Sequence, residues 1–223
     1  MSVGGVIDYT RCPKRFYWSQ VRPLPRFSGP AARIGTEIHR WIERRASGQG
    51  RLLELDDAPD QTAEELAGDP GRVERLRQAF LDSPYAGRIP LFAERAFLLR
   101  LDGFTIGGRI DAIYGAADGP WDVVDWKTGA AAADPLQLDV YGLACHEIWG
   151  KAREELTLTF VYLGRGEASS HPMDDPAEIR ERVLVSLRSI GAGLFEPTPG
   201  AWCHHCDFRS FCDEGTAWLA SNP

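Results

Sequence analysis

Four of the five cysteines stand at opposite ends of this chain. Cys12 lies near the start, while Cys203, Cys206 and Cys212 fall within Trp-Cys-His-His-Cys-Asp-Phe-Arg-Ser-Phe-Cys near the end. If one metal centre takes all four, the fold must join residues that bracket 190 others. Such a centre would pin both ends of the chain together and act structurally, so that losing any ligand loosens the fold. Between the ends lie Gly-Arg-Ile-Asp (108–111) and Asp-Trp-Lys-Thr-Gly (125–129). Paired carboxylates with a lysine point to chemistry on phosphodiesters.

At 223 residues, with 43% hydrophobic and 26% charged content, the composition is that of a soluble globular protein able to bury a core. No run of eighteen apolar residues is present, so no membrane span is expected. The N-terminus lacks a basic segment followed by an apolar one, so export is not expected and a cytoplasmic location is. Reduced thiols there favour a metal over disulfides. The net charge of −7 hides an asymmetry: residues 1–51 carry ten Lys/Arg against three acidic residues, and the remainder carries 15 against 29. A basic segment on an acidic body can form a local phosphate track or simply a solvated surface.

The spacing predicts a short helix over 10–20 carrying Phe16, Tyr17 and Trp18, and a second over 31–46 with Ile34, Ile38, Trp41 and Ile42 on one face. Gly48–Gly50 should stop it, and the acidic stretch 52–70 reads as a surface connection before a helix over 71–82. Runs at 92–101, 104–114 and 121–126, parted by Asp102-Gly103 and Ala117-Asp118-Gly119, predict an antiparallel three-strand meander. A helix from Pro135 to 149, a strand over 156–163, a helix over 176–192 and a cysteine knuckle after Gly200 complete a mixed α/β pattern. The expected organisation is one domain, 1–223: a helical segment 1–90, a core 91–195 and the knuckle 196–223.

Side chains alternate along a strand, so Asp125 and Lys127 share a face with Trp126 opposite, and Asp111 on the neighbouring strand can lie across from them. Close carboxylates repel unless a divalent cation neutralises them. Lys127 beside such a cation could orient a water. Asp-x-Lys alone is also compatible with a surface salt bridge. His39, one turn after Gly35, could supply a nitrogen ligand or be a satisfied histidine. The four thiolates can hold a [4Fe–4S] cluster or zinc, with His204 and His205 as stand-in zinc ligands. Cys145, on an apolar helix face, reads as a small buried hydrophobe.

Gly35-Thr-Glu-Ile-His39, Glu94 in Phe-Ala-Glu-Arg-Ala-Phe, Gly108-Arg-Ile-Asp111, Asp125-Trp-Lys127-Thr-Gly and Gln137-Leu-Asp-Val-Tyr141 occur in the order seen in RecB-like nucleases of the PD-(D/E)XK superfamily. The cysteine arrangement resembles the iron–sulfur branch, which includes AddB nuclease domains, helicase–nucleases and CRISPR-associated adaptation nucleases. The resemblance runs from Tyr9 to Cys212. It implies a restriction-endonuclease-like core, a mixed sheet flanked by helices, clamped by a [4Fe–4S] cluster on Cys12, Cys203, Cys206 and Cys212. It further implies Mg²⁺ or Mn²⁺ held by His39, Asp111, Asp125 and the Trp126 carbonyl. Lys127 would position the attacking water, and Gln137 and Tyr141 would lie near the scissile phosphate. Glu94 occupies a family position without a role that follows from its residue type. Ile110 replaces the proline that precedes the first Asp in much of the superfamily.

The resulting expectation is a metal-dependent nuclease acting on single-stranded DNA or DNA ends, in repair and recombination or in CRISPR adaptation beside a helicase or adaptation partner. Two other readings stay open: a catalytically weak or inactive DNA-binding or partner-docking domain of a helicase–nuclease, stabilised by a metal cluster, and a zinc-stapled interaction domain with no DNA role. No Gly-x4-Gly-Lys-Ser/Thr phosphate loop is present, so this sequence carries no motor of that type.

Overall fold

The computed structural model describes residues 1–24, 30–46, 70–129 and 132–222. Along the chain run α1 (Val3–Arg11), α2 (Pro13–Phe16), a π-helical turn (Tyr17–Val21), α3 (Pro30–Ala46) and α4 (Pro70–Leu81). Then come β1 (Phe92–Leu101), β2 (Phe104–Gly115), β3 (Trp121–Lys127), α5 (Leu136–Trp149), β4 (Leu156–Tyr162), β5 (Glu167–Pro172), α6 (Pro176–Gly191) and α7 (Asp213–Ser221). The strands form one five-stranded sheet in the order β1-β2-β3-β4-β5. β2 and β3 pair antiparallel, β3 and β4 parallel across α5, and β4 and β5 antiparallel. The expected mixed sheet flanked by helices is present.

Local chemistry explains the element boundaries. Asp102 and Gly103 both take positive φ, +45° and +86°, the backbone of a two-residue turn whose twist matches the strands it joins. Asp134 accepts a hydrogen bond from the Leu136 amide at the start of α5, and Gly150 at φ +67° ends that helix. Asp175 caps α6 ahead of Pro176, whose missing N–H costs nothing in the first turn.

Three elements differ from expectation. The helix expected over 10–20 is broken at Cys12, whose backbone is extended because Pro13 disfavours helical geometry in the residue before it. α1 precedes that break; its start is capped by Ser2 Oγ, which accepts from the Gly5 amide at 3.1 Å, although two glycines weaken its intrinsic propensity. β5 has a polar, largely exposed sequence without apolar alternation, and its ladder with β4 alone makes it a strand. The chain after Cys212 also forms a helix, α7, where a knuckle alone was expected. The expected stop at Gly48–Gly50 and nearly all of the 52–70 connection lie outside the described residues.

The residues divide into two compact units. The first comprises Met1–Phe27, Leu98–Gly108 and Asp175–Pro223, the second Ser28–Phe97 and Arg109–Asp174. In the first, α1 packs on α6. Tyr9 donates to the Leu194 carbonyl at 2.7 Å, and the Tyr9, Phe16 and Phe195 rings cluster. Asp102 at the hairpin tip pairs with Arg180 of α6 at 2.9 Å.

In the second unit, α3 and α4 bury Ile34, Ile38, Ile42, Leu76 and Phe80 against Ala112, Tyr114, Val124 and Trp126. α5 packs against β3 and β4. Gly142 permits that approach, since a Cβ there would meet both Leu158 methyls at 3.2 Å.

Candidate active site

The ladder between β2 and β3 pairs Ala112 with Val124. One residue further on each strand stand Asp111 and Asp125. Asp111 Oδ2 accepts the Trp126 amide at 2.8 Å, so a side chain takes up a backbone donor there. The Trp126 ring, 2% exposed, is wedged edge-on against Phe80 and Tyr85 at 5.3 Å each. That anchorage fixes the strand and, by alternation, commits Asp125 and Lys127 to the other face.

Asp125 is 2% exposed. Lys127 Nζ lies 2.6 Å from its Oδ2, an oxygen that accepts no well-aligned hydrogen bond, so the contact is chiefly one of charge. Gln137, in the first turn of α5, completes the arrangement. Its Nε2 donates to Asp125 Oδ1 at 2.7 Å and to the Tyr141 hydroxyl at 3.0 Å, while its Oε1 accepts from Lys127 Nζ at 2.7 Å. Burial first, then the charge of Asp111, pushes the Asp125 carboxyl up to about 7, with Lys127 and His39 pulling the other way. Burial, with the charge of Asp125 behind it, also raises the Tyr141 hydroxyl.

His39 reaches the same place from α3. Its Nε2 lies 3.0 Å from the Trp126 carbonyl, which can only accept, and its Nδ1 lies 3.4 Å from Asp111 Oδ1. Burial disfavours the imidazolium, but the hydrogen bond and charge of Asp111 outweigh it and the His39 pKa is raised. Glu94 on β1 arrives by an unusual route. Its φ of +48° is left-handed, a conformation that costs a non-glycine residue energy and that clusters at functional sites. Burial, with Asp111 second, raises its carboxyl as well.

His39, Glu94 and Asp111 each offer a ligand atom within 4.8 Å of the others, the one such group of three or more His, Cys, Asp or Glu among the described residues. Two carboxylates and an imidazole are donors suited to a hard or borderline divalent cation such as Mg²⁺ or Mn²⁺. Burial, and behind it the charge of Asp111, raises both Glu94 and Asp125, a penalty on the carboxylates that a cation would relieve. The donors therefore fit the metal that the resemblance implies.

Of the expected ligands, the structure gathers His39, Asp111 and the Trp126 carbonyl; Asp125 sits beside them, engaged with Lys127 and Gln137. Glu94 joins the donor group although its residue type and spacing signalled nothing beyond a family position. Gln137 and Tyr141 hold the Asp125–Lys127 pair. An open groove of about 480 Å³ reaches two of the donors, His39 and Glu94, and is lined besides by Gly35, Thr36, Arg40, Glu43 and Arg109.

Cys12, Cys203, Cys206 and Cys212 all belong to the first unit and line one small cavity with Lys14, Arg15, Trp18 and Trp202. No three of their sulfurs come within 4.8 Å of one another, so they do not form a closed ligand group. Zn–S bonds of about 2.3 Å would require sulfurs closer than that. Gly215 leaves room beside two of them: a Cβ there would lie 3.3 Å from Cys212 Sγ and 3.5 Å from Cys203 Sγ. Its amide donates to Cys212 Sγ at 3.3 Å. His204 and His205 are exposed. Cys145 is fully buried on α5, and burial pushes its thiol up to about 12.

A profile of the PD-(D/E)XK nuclease superfamily matches residues 1–213. The gene 69 protein of Mycobacterium phage D29 is 26% identical over 259 aligned positions, and that of Mycobacterium phage L5 is 25% identical over 278; each alignment covers 95% of both chains. Among solved structures, the "Putative exonuclease" of Eubacterium rectale shares the fold with a TM-score of 0.58 at 13% identity, over 97% of this chain and 87% of that one. No helix among the described residues is long and apolar enough to cross a membrane.

Proposed function

The chain belongs to the PD-(D/E)XK nuclease superfamily, and on that premise we propose that it is a divalent-metal-dependent deoxyribonuclease acting on single-stranded DNA or strand ends. The observation that carries this reading is the pairing of buried Asp125 with half-buried Lys127, held by Gln137 beside the His39, Glu94 and Asp111 donors. His39, Asp111 and the Trp126 carbonyl, with Glu94 or Asp125, would hold Mg²⁺ or Mn²⁺. When bound, the ion supplies Lewis acidity and lowers the pKa of water at the site.

The chain's own groups do the rest. Lys127, fixed by Asp125 and Gln137, directs an N–H toward the water and steadies charge developing on a phosphate oxygen. Asp125, beside the donor group, takes the proton that the water gives up. The water oxygen bonds to phosphorus, the opposite P–O ester bond breaks, and solvent protonates the departing oxygen. Gln137 keeps the amide oxygen toward Lys127 and the amide nitrogen toward Asp125, so the pair cannot collapse into a closed two-point salt bridge.

The shared cavity of the four thiols supports a structural [4Fe–4S] centre on Cys12, Cys203, Cys206 and Cys212. A cluster, larger than a single ion, suits thiols that are near one another yet not in mutual contact. Protein purified without oxygen should absorb near 400 nm and contain iron; colourless, iron-free protein with intact activity removes the cluster from this reading. For the active site, end-labelled and circular single-stranded DNA incubated with Mn²⁺ or Mg²⁺ should be degraded by wild type but not by Asp125→Ala or Lys127→Ala. Cleavage that survives both substitutions overturns the assignment.

A further inference from the structure

Two arginines line the groove above the donor group, and the sequence motifs assign neither. We propose that Arg40 and Arg109 form a phosphate clamp that grips the backbone of a single DNA strand on either side of the bond to be cut, independently of any metal. The inference rests on the nuclease reading above and names what that groove binds.

The placement follows from two periodicities. Thr36, His39, Arg40 and Glu43 recur at three- and four-residue intervals on α3, so one helical face lines the groove. On β2, Arg109 and Asp111 are two apart and share a face, with their Cα atoms about 7 Å apart along the strand. Each arginine therefore neighbours one donor: Arg40 follows His39, and Arg109 precedes Asp111. Arg40 is exposed. The Arg109 side chain is 63% exposed and is held by a 3.6 Å contact to Glu94, too long for a tight bidentate pair.

Charge gives these positions a task. The chain carries a net −7, and the groove lining adds Glu43 and Glu94, so a polyanion is repelled unless cations meet it locally. A planar guanidinium matches two phosphate oxygens at once and carries no base information. The Arg109–Glu94 contact is one that a phosphate would readily exchange, because Glu94 then turns fully to the donor group. Recognition of this kind is blind to sequence and steep in salt.

The test is equilibrium binding of the full chain to a short fluorescent single-stranded oligonucleotide in EDTA, with salt raised from about 50 to 200 mM. Each single-strand phosphate contact contributes about 0.7 to the slope of log K against log salt, so Arg40→Gln/Arg109→Gln should flatten it by about 1.4. The affinity gap between wild type and variant should then close roughly sevenfold across that range. Arg40→Lys/Arg109→Lys should restore the slope, and Arg153→Gln, outside the groove, should leave it as in wild type. A glutamine double variant that melts like wild type but keeps the wild-type slope overturns the clamp. The clamp and the nuclease reading fail separately. If wild type cuts and the double variant cuts with unchanged KM, the clamp falls and the nuclease reading stands. If the slope flattens but wild type does not cut with Mn²⁺, the clamp stands and the nuclease reading falls.

Discussion

Lys127 Nζ lies 2.6 Å from the buried Asp125 Oδ2, yet both groups are also tied to one Gln137 amide, which accepts from the lysine and donates to the acid. The pair is thus oriented by a third side chain that contacts both partners. Replacing Lys127 by Met should lower kcat for single-stranded DNA by about 10²–10³-fold, the usual cost of losing one donor that steadies developing charge, with little change in KM. Gln137→Leu should lower kcat less and broaden its pH profile, because both partners lose their tether. Steady-state cleavage of a labelled strand across pH measures both.

Metal-free protein should become less stable as pH rises. Asp125 holds its proton up to about pH 7 in the fold, through burial and then Asp111, whereas the unfolded chain releases it near 4. Stability from that proton is full below about pH 4 and is lost as pH rises through about 7, at no more than about 1.4 kcal/mol per pH unit. Thermal melts of wild type and Asp125→Asn in EDTA isolate the effect. The variant should gain on wild type at pH 8 and not at pH 4, and Mn²⁺ should narrow the gap at pH 8.

Glu94 carries a left-handed backbone within a strand, and its carboxylate meets His39 and Asp111. Glu94→Gln keeps the volume and removes the charge, so calorimetric Mn²⁺ affinity should fall by roughly tenfold or more. The melt in EDTA should hold or rise, because one of two mutually repelling acids is gone. Unaltered Mn²⁺ binding would remove Glu94 from the donor set.

Gly142 lies where α5 crosses β4, with both Leu158 methyls 3.2 Å from the position of an added Cβ. Gly142→Val should cost about 1–3 kcal/mol by overpacking, read as a lower denaturant midpoint. Because α5 carries Gln137, the same variant should also lower kcat.

Much of the arrangement was legible before any coordinates. The Asp102-Gly103 turn, the apolar runs of β1 to β3, Pro135 before α5, Gly150 after it and Pro176 at α6 each carry a local signal, and each marks a boundary of the fold. β5 and α7 were not legible, since neither has an apolar period of its own and each depends on what it packs against or pairs with. In the site, alternation alone put Asp125 and Lys127 on one face.

The residues along the chain settled which side chains share a strand face or a helix turn, because those periods are properties of a few neighbouring peptide units. What they left open was distance across the chain. Glu94 meets His39 and Asp111 only because a left-handed residue in β1 turns its carboxylate toward α3 and β2, and Gln137 reaches both Asp125 and Lys127 only because Gly142 lets α5 lie close on the sheet. Backbone strain and packing depth are set by the whole assembly, so tertiary structure alone decided them.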